Sequence, residues 1–120
     1  MKRAAPFSTD ALATALSNAL TAAPPKHAAM LRAHFRSRKQ TTSATGLQKR
    51  VGYPNFNSVN LQYGLFAKRV KEELGVTTRS GIHLEVLVEF IDPGEQNNEH
   101  ILWKLRPEVM AALRKMGWVA

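Results

Sequence analysis

The chain has 120 residues, which is enough for one compact domain with its own core and leaves no room for a second. Its hydrophobic content of 44% and charged content of 22% are typical of a globular protein and exclude a disordered tail. No stretch approaches about eighteen apolar residues and there is no cysteine, which excludes a spanning helix, a disulfide scaffold and thiolate chemistry. We expect a cytoplasmic, nucleoid-associated domain over 7–120 with a flexible N-terminus at 1–6.

The net charge of +8 is distributed unevenly along the chain. Between Ala11 and Lys71 there is no carboxylate, yet the stretch carries ten basic residues. From Glu72 to Glu108 the balance reverses, with eight carboxylates against three basic residues. A surface built only for solubility mixes both signs. The separation therefore predicts a face for a polyanion, most simply double-stranded DNA.

Three helices are predicted in the first half of the chain. Leucines at helical spacing behind good N-cap residues predict a helix from Thr9 to Thr21. A diproline opens the next helix, which spans about Pro25 to Arg36. A polar, basic connection over 37–42 then leads to a short third helix that is capped by Thr42 or Ser43.

The fourth helix is the most regular element of the sequence. Gly52 and Pro54 form a turn before it, because glycine ends the preceding helix and proline stops it from continuing. Asn55 or Asn57 caps the new helix, whose apolar positions recur every three or four residues as far as Leu74. A short helix, a four-residue turn and a longer helix indicate a helix-turn-helix, with 57–74 as the recognition helix.

A change to alternating periodicity predicts strands after this helix. Residues 83–90 are rich in β-branched and aromatic types and predict a strand. Its expected core face consists of Leu84, Val86, Val88 and Phe90. A polar loop over 92–98 and a returning strand over 100–105 complete a hairpin, and a last helix spans 107–115. We predict a mainly α fold with a β-hairpin (α+β), the winged form of helix-turn-helix.

In such a fold the first half of the recognition helix reaches base edges in the major groove. This half is rich in carboxamides, which can donate to and accept from adenine together, and a leucine suits the methyl group of thymine or of a modified base. The predicted base contacts are Asn55, Asn57, Ser58, Asn60, Leu61 and Gln62. The asparagines at 55 and 57 are equally well explained as caps. Close helix packing explains Gly64 more simply than approach of DNA to its backbone.

Basic residues around the turn suit the phosphate backbone. The predicted phosphate contacts are Arg36, Arg38, Lys39, Lys49, Arg50, Lys68 and Arg69. About six such contacts would lower the affinity about a thousandfold between about 50 and 200 mM salt. The hairpin carries carboxylates, so we expect it to brace the core or to offer an acidic face to a protein partner.

The sequence has no recognisable catalytic or metal-binding arrangement. His27 and His34 are seven residues apart, and no histidine pair has the spacing of a helical zinc motif. No glycine-rich phosphate loop or nucleophile elbow is present. We predict no catalytic residues, no metal and no cofactor, and hence no enzyme.

The run from Val51 to Gly64, followed by Trp103 to Val109 and then Gly117-Trp118, resembles a bacterial winged-helix DNA-reader domain. That domain occurs alone or ahead of an HNH nuclease domain in restriction-type endonucleases. The resemblance implies a winged-helix reader of duplex DNA, in some relatives for modified bases. The HNH half is not found in this sequence, so DNA cleavage is not implied.

Two alternatives stay open beside a non-catalytic DNA reader. One recognition helix gives limited affinity, which favours a small, homodimeric transcription regulator. A phage- or defence-related adaptor would instead use the basic face on nucleic-acid-bound machinery and bind another protein.

Overall fold

The computed structural model describes residues 8–76, 81–91 and 101–118. In chain order the helices and strands are α1 (Thr9–Ala22), α2 (Pro25–Phe35), β1 (Thr41–Ser43), α3 (Ala44–Val51), α4 (Phe56–Leu74), β2 (Val88–Ile91), β3 (Leu102–Leu105) and α5 (Pro107–Lys115). Short 3₁₀ turns occupy Arg38–Gln40 and His83–Val86. The predicted N-terminus at 1–6 and hairpin loop at 92–98 lie outside the described residues. Within the described ranges, no helix combines the length and the apolarity that crossing a membrane requires.

Local side chains set the ends of the predicted helices. Ser8, Ser43 and Asn55 cap α1, α3 and α4, each accepting a hydrogen bond from the backbone N–H three residues later. The helices α3 and α4 end at Gly52 and Gly75, whose φ angles of 87° and 70° are in the left-handed region that glycine adopts without strain. These ends agree with the predicted helices to within about two residues.

The helix α4 lies at the centre of the fold. It contacts α1, α2, α3 and the 3₁₀ turn at 83–86. Val59, Tyr63, Phe66 and Val70 are fully buried along one side of it, as their helical spacing predicts. Burial of these large side chains stabilises the position of α4, while its opposite side faces solvent.

The sheet has three antiparallel strands in the order β1-β3-β2. The β2–β3 pair is the predicted hairpin, with Phe90 opposite Trp103. The strand β1 was missed, because its residues fell within the predicted connection at 37–42 and the start of the third helix. Thr42 pairs with Trp103 from the other side, so β1 joins the chain segment just before α3 to the hairpin.

The predicted strand over 83–90 is wrong in its first half, where His83–Val86 is a 3₁₀ turn. Leu84, Val86, Leu87 and Val88 are all buried, so this segment is apolar on consecutive rather than alternate positions. A 3₁₀ turn brings residues three apart onto the same side, which suits a segment packed along α4. Regular pairing starts only at Val88.

A buried histidine connects α2, α4 and β3. The Nδ1 atom of His34 accepts a hydrogen bond of 2.8 Å from the Tyr63 hydroxyl, and its Nε2–H donates to the Trp103 carbonyl oxygen at 2.7 Å. Burial lowers the pKa of His34 from 6.5 to about 4 and raises the pKa of Tyr63. The neutral ring therefore fixes α4 relative to the sheet.

Candidate nucleic-acid interface

The first half of α4 presents a polar face with one apolar residue to solvent. Asn57, Asn60 and Leu61 are exposed, and Leu61 has 60% of its surface accessible. The turn between α3 and α4 ends at the exposed Asn55. Four of the six predicted base contacts are thus accessible to a ligand.

Asn55 and Ser58 bond to each other. The Asn55 Oδ1 atom accepts from the Ser58 backbone N–H at 2.9 Å and from the Ser58 hydroxyl at 3.2 Å. Asn55 is therefore the cap, and Asn57, the other candidate, lies inside the first turn. Both lone pairs of the Asn55 side-chain oxygen accept these hydrogen bonds, so only the amide nitrogen of Asn55 is left to bond to a base.

Gln62 differs from the neighbouring amides in having a long-range partner. Its Oε1 atom accepts a 2.8 Å hydrogen bond from Nε2 of His27 on α2, whose ring is buried edge-on against Phe66. The oxygen can accept a second hydrogen bond, but this contact ties the side chain of Gln62 to α2 and fixes the direction of its amide. The amide nitrogen of Gln62 remains able to donate.

The explanation of Gly64 by close helix packing is wrong. A Cβ atom placed on this residue meets no atom of a neighbouring element within 4 Å. Gly64 and Asn60 instead line one wall of an open cleft of about 450 Å³. The opposite side of this cleft is formed by residues 81–84, Phe90, Ile101 and Trp103.

All seven predicted phosphate contacts are exposed cations. They are Arg36, Arg38, Lys39, Lys49, Arg50, Lys68 and Arg69. None of them forms an ion pair with a carboxylate of the described residues. An anionic ligand would therefore not have to displace an internal partner in that part of the chain.

One of the seven, Arg50, also forms hydrogen bonds within the protein. Its guanidinium donates to the Ala33 carbonyl oxygen at 3.1 Å and to the Ser37 hydroxyl at 3.0 Å. This links the end of α3 to the end of α2. Since Ser37 lies between Arg36 and Arg38, the contact brings the charge of Arg50 to the same basic segment.

Three other cations of the acid-free stretch have contacts of their own within the protein. Lys26 lies over the ring of Tyr53 at 4.8 Å, and Arg32 lies over the Trp118 ring at 4.3 Å. Lys71 is buried, with its Nζ atom 2.9 Å from Nδ1 of a histidine in the 3₁₀ turn at 83–86. At least Lys71, among the ten basic residues that the sequence groups together, is therefore not available at the surface.

Lys68 and Arg69 lie beside the start of α2. They line a shallow pocket of about 330 Å³ with Pro24, His27, Gln62, Leu65 and Glu72. The pocket joins the basic residues of α4 to the α2 flank of the helix. Sequence reasoning named these cations but had no signal for the segment that they approach.

Sequence reasoning also missed the cleft beside Gly64. A glycine in the middle of a strongly periodic helix was the available signal, because glycine costs stability there relative to alanine. The residues that line the other side of the cleft lie at least seventeen residues after Gly64 in the chain.

The described residues contain no group of three or more histidine, aspartate or glutamate side chains placed to hold a metal ion. In comparisons with known proteins, no family model, no curated protein and no solved structure matches the chain.

Proposed function

We propose that this protein binds duplex DNA without catalysing a reaction, with the first half of α4 in the major groove. The observation that carries this proposal is the exposed amide face at the start of α4 together with exposed cations that no described carboxylate neutralises. Amides suit base edges and unpaired cations suit phosphates.

The order of the elements supports a winged helix-turn-helix. The short α3, the turn at 52–55 and α4 are followed by the β2–β3 hairpin. Pairing of β1 with β3 ties that hairpin to the segment immediately before α3. The hairpin would then lie beside the recognition helix, as a wing does.

The geometry narrows the set of base-reading residues. Asn57, Asn60 and Leu61 are exposed and carry the proposed direct contacts. Gln62 is half-buried and bonded to His27, so its amide is less free to turn toward a base than the exposed amides are.

The cations form two groups at opposite ends of α2. Arg36, Arg38 and Lys39 follow its last turn, whereas Lys68 and Arg69 lie beside Pro24 at its first. Eleven helical residues span about 16 Å, which is comparable to the width of the major groove, about 12 Å. We propose that the two groups contact phosphates on the two sides of the groove that α4 enters.

Titration of labelled duplexes tests this proposal directly. Duplexes with and without adenine or cytosine methylation are titrated at about 50 and 200 mM salt, and binding is followed by fluorescence anisotropy. We expect log affinity to fall with log salt with a slope of about −5, and a preference among the duplexes would identify a base reader. Absence of duplex binding at about 50 mM salt would contradict the proposal.

A double variant tests the phosphate contacts. Lys68→Ala with Arg69→Ala should weaken every duplex alike and flatten the salt slope by about two units. Lys115→Ala is the matched control, because Lys115 pairs with Asp10 on the α1–α5 side and should leave the slope unchanged. An unchanged slope in the double variant would place its two cations off the interface.

One observation favours the adaptor as a second candidate. Leu61 and Leu65 are exposed by 60% and 42% and lie one turn apart on the outer face of α4, and exposed apolar residues of this kind also suit a protein partner. Leu65→Ala should leave DNA affinity unchanged for a DNA reader. Tight binding to a protein without duplex binding would favour the adaptor.

A further inference from the structure

The cleft beside α4 is open to solvent and borders the core at Trp103. Phe90 lies directly opposite Trp103 in the β2–β3 pair, so both side chains are on the same face of the sheet. Trp103 is buried, yet Phe90 is 40% exposed. The face of the sheet that packs against the helices thus runs past the edge of the core and into the cleft.

Gly64 keeps the helical wall of this cleft open. No neighbouring atom lies within 4 Å of the position that its Cβ would occupy. A residue that weakens a helix and makes room for no other element leaves its backbone accessible from outside. Ile82, which is 51% exposed, lies on the facing wall.

Two polar side chains accompany the apolar walls. Asn60 lies one turn before Gly64 and offers both a donor and an acceptor. His83 faces the buried ammonium of Lys71, which has only donors, so Nδ1 of His83 is the acceptor in that contact. His83 is thus the second polar residue of the cleft lining, held in place by Lys71.

We propose that this cleft receives a single nucleobase extruded from the duplex that α4 binds. The proposal rests on the proposed DNA-binding function and names a ligand subsite within it. An accessible aromatic ring, aliphatic walls and an amide are the combination that holds a planar heteroaromatic ring by stacking and by hydrogen bonds to its edge.

The position of the cleft favours this occupant over a partner's side chain. It opens between α4, which would enter the major groove, and the β2–β3 hairpin beside it. The sugar-phosphate strand that borders the groove would pass between these two elements. A nucleotide that rotates out of the stack at this point would have its base directed toward Gly64.

A comparison of matched and mismatched duplexes tests base extrusion. A mismatched base costs less to extrude, so a protein that holds an extruded base binds such a duplex more tightly. We expect the protein to prefer a short duplex with one central mismatch over its matched counterpart by about tenfold. With 2-aminopurine at the mismatch, emission should change on binding, because the base exchanges its stacked neighbours in the DNA for the side chains of the cleft.

Variants of Gly64 and Phe90, on the two walls of the cleft, test whether the preference for mismatched DNA depends on the cleft. Gly64→Leu fills the cleft, and Phe90→Ala removes the ring; each should reduce the preference for the mismatch to about one. Ile91→Ala is the matched control, since Ile91 is the next residue of β2, is 38% exposed and is not part of the cleft lining. Circular dichroism and thermal melting of each variant confirm that it is folded.

The outcomes separate the two proposals. Binding of duplexes with equal affinity for matched and mismatched DNA would overturn base capture and leave DNA binding standing. A preference that Phe90→Ala and Ile91→Ala reduce alike would also overturn it. Failure to bind any duplex at low salt would overturn the proposed function and the inference together.

Discussion

The two flanks of α4 differ although they belong to one helix. On the α2 flank, Gln62 is bonded to His27, whose ring packs on Phe66. On the hairpin flank, Asn60 and Gly64 face an open cleft. One side of the helix is held by a neighbouring element, and the other has room for a molecule from outside.

This difference shows that residue type alone does not assign a role on a helix surface. Asn60 and Gln62 carry the same amide group two positions apart, and both lie beyond the capping turn. A contact across 35 residues of sequence gives the second one a structural partner. Polar residues that meet another element act in folding, whereas those that meet solvent are available for binding.

The largest expected effect concerns His34, the anchor beneath both flanks. The pKa of His34 is about 4 in the folded protein, below the ordinary 6.5 of the unfolded chain, so between these values the unfolded state binds more protons. Stability should therefore be constant above about pH 6.5 and fall by about 3 kcal/mol as the pH drops to about 4. Urea unfolding measured across this range checks the prediction.

The His34→Gln variant provides the control for this pH dependence. Glutamine retains a donor and an acceptor but does not titrate, so the loss of stability in this window should largely disappear. Persistence of the full loss in the variant would assign it to another group.

An effect of intermediate size is expected on the unfolding free energy, and it should differ between variants of Gln62 and Asn60. Gln62→Leu leaves the buried ring of His27 without its partner, and Nδ1 of that ring already has none among the described residues. Loss of a buried hydrogen bond in this way costs about 1–3 kcal/mol of unfolding free energy. Asn60→Ala should change stability by less than about 0.5 kcal/mol but relax the preference among duplexes.

Chemical denaturation and duplex titration of both variants check this contrast. Equal stability losses would mean that Asn60 also has a structural role. An equal loss of affinity on every duplex in Asn60→Ala would contradict base reading.

The smallest effect is a gain in stability at the open flank. Gly64→Ala should raise the unfolding free energy by about 0.5–1 kcal/mol, because alanine favours the helix and its Cβ meets no neighbour. Gly46→Ala is the comparison, since its Cβ would lie 2.5 Å from Thr42 Oγ1 and require that side chain to move. Thermal melting should show a smaller gain or a loss for Gly46→Ala; a destabilised Gly64→Ala would contradict the open cleft.

The sequence predicts the helices well because their signals are local. Caps such as Ser43 and Asn55 act within three residues, and the repeat in α4 lies within one element. The 3₁₀ turn at His83–Val86 was predicted as strand, since a short apolar run fits either a strand or a buried turn. Burial on consecutive positions becomes visible only once α4 lies against the segment.

The candidate site was predicted in composition but not in arrangement. Asn57 and Asn60 lie at the surface, as the helical repeat of α4 predicts, and so do most of the cations. The His27–Gln62 bond, the buried position of Lys71 and the cleft at Gly64 depend on elements distant in sequence. Periodicity and charge describe one element at a time, so they do not report these contacts.

The pairing of β1 with β3 links the segment before α3 to a strand near the end of the described residues. Trp103 pairs with Thr42 and accepts the hydrogen bond of His34, which lies 69 residues earlier. During synthesis, α2, α3 and α4 therefore emerge before the residue that completes their support, and contacts of such long range slow folding. A peptide covering only α2 to α4 would lack this support, so the exposed face of α4 depends on the whole domain and is not a portable segment.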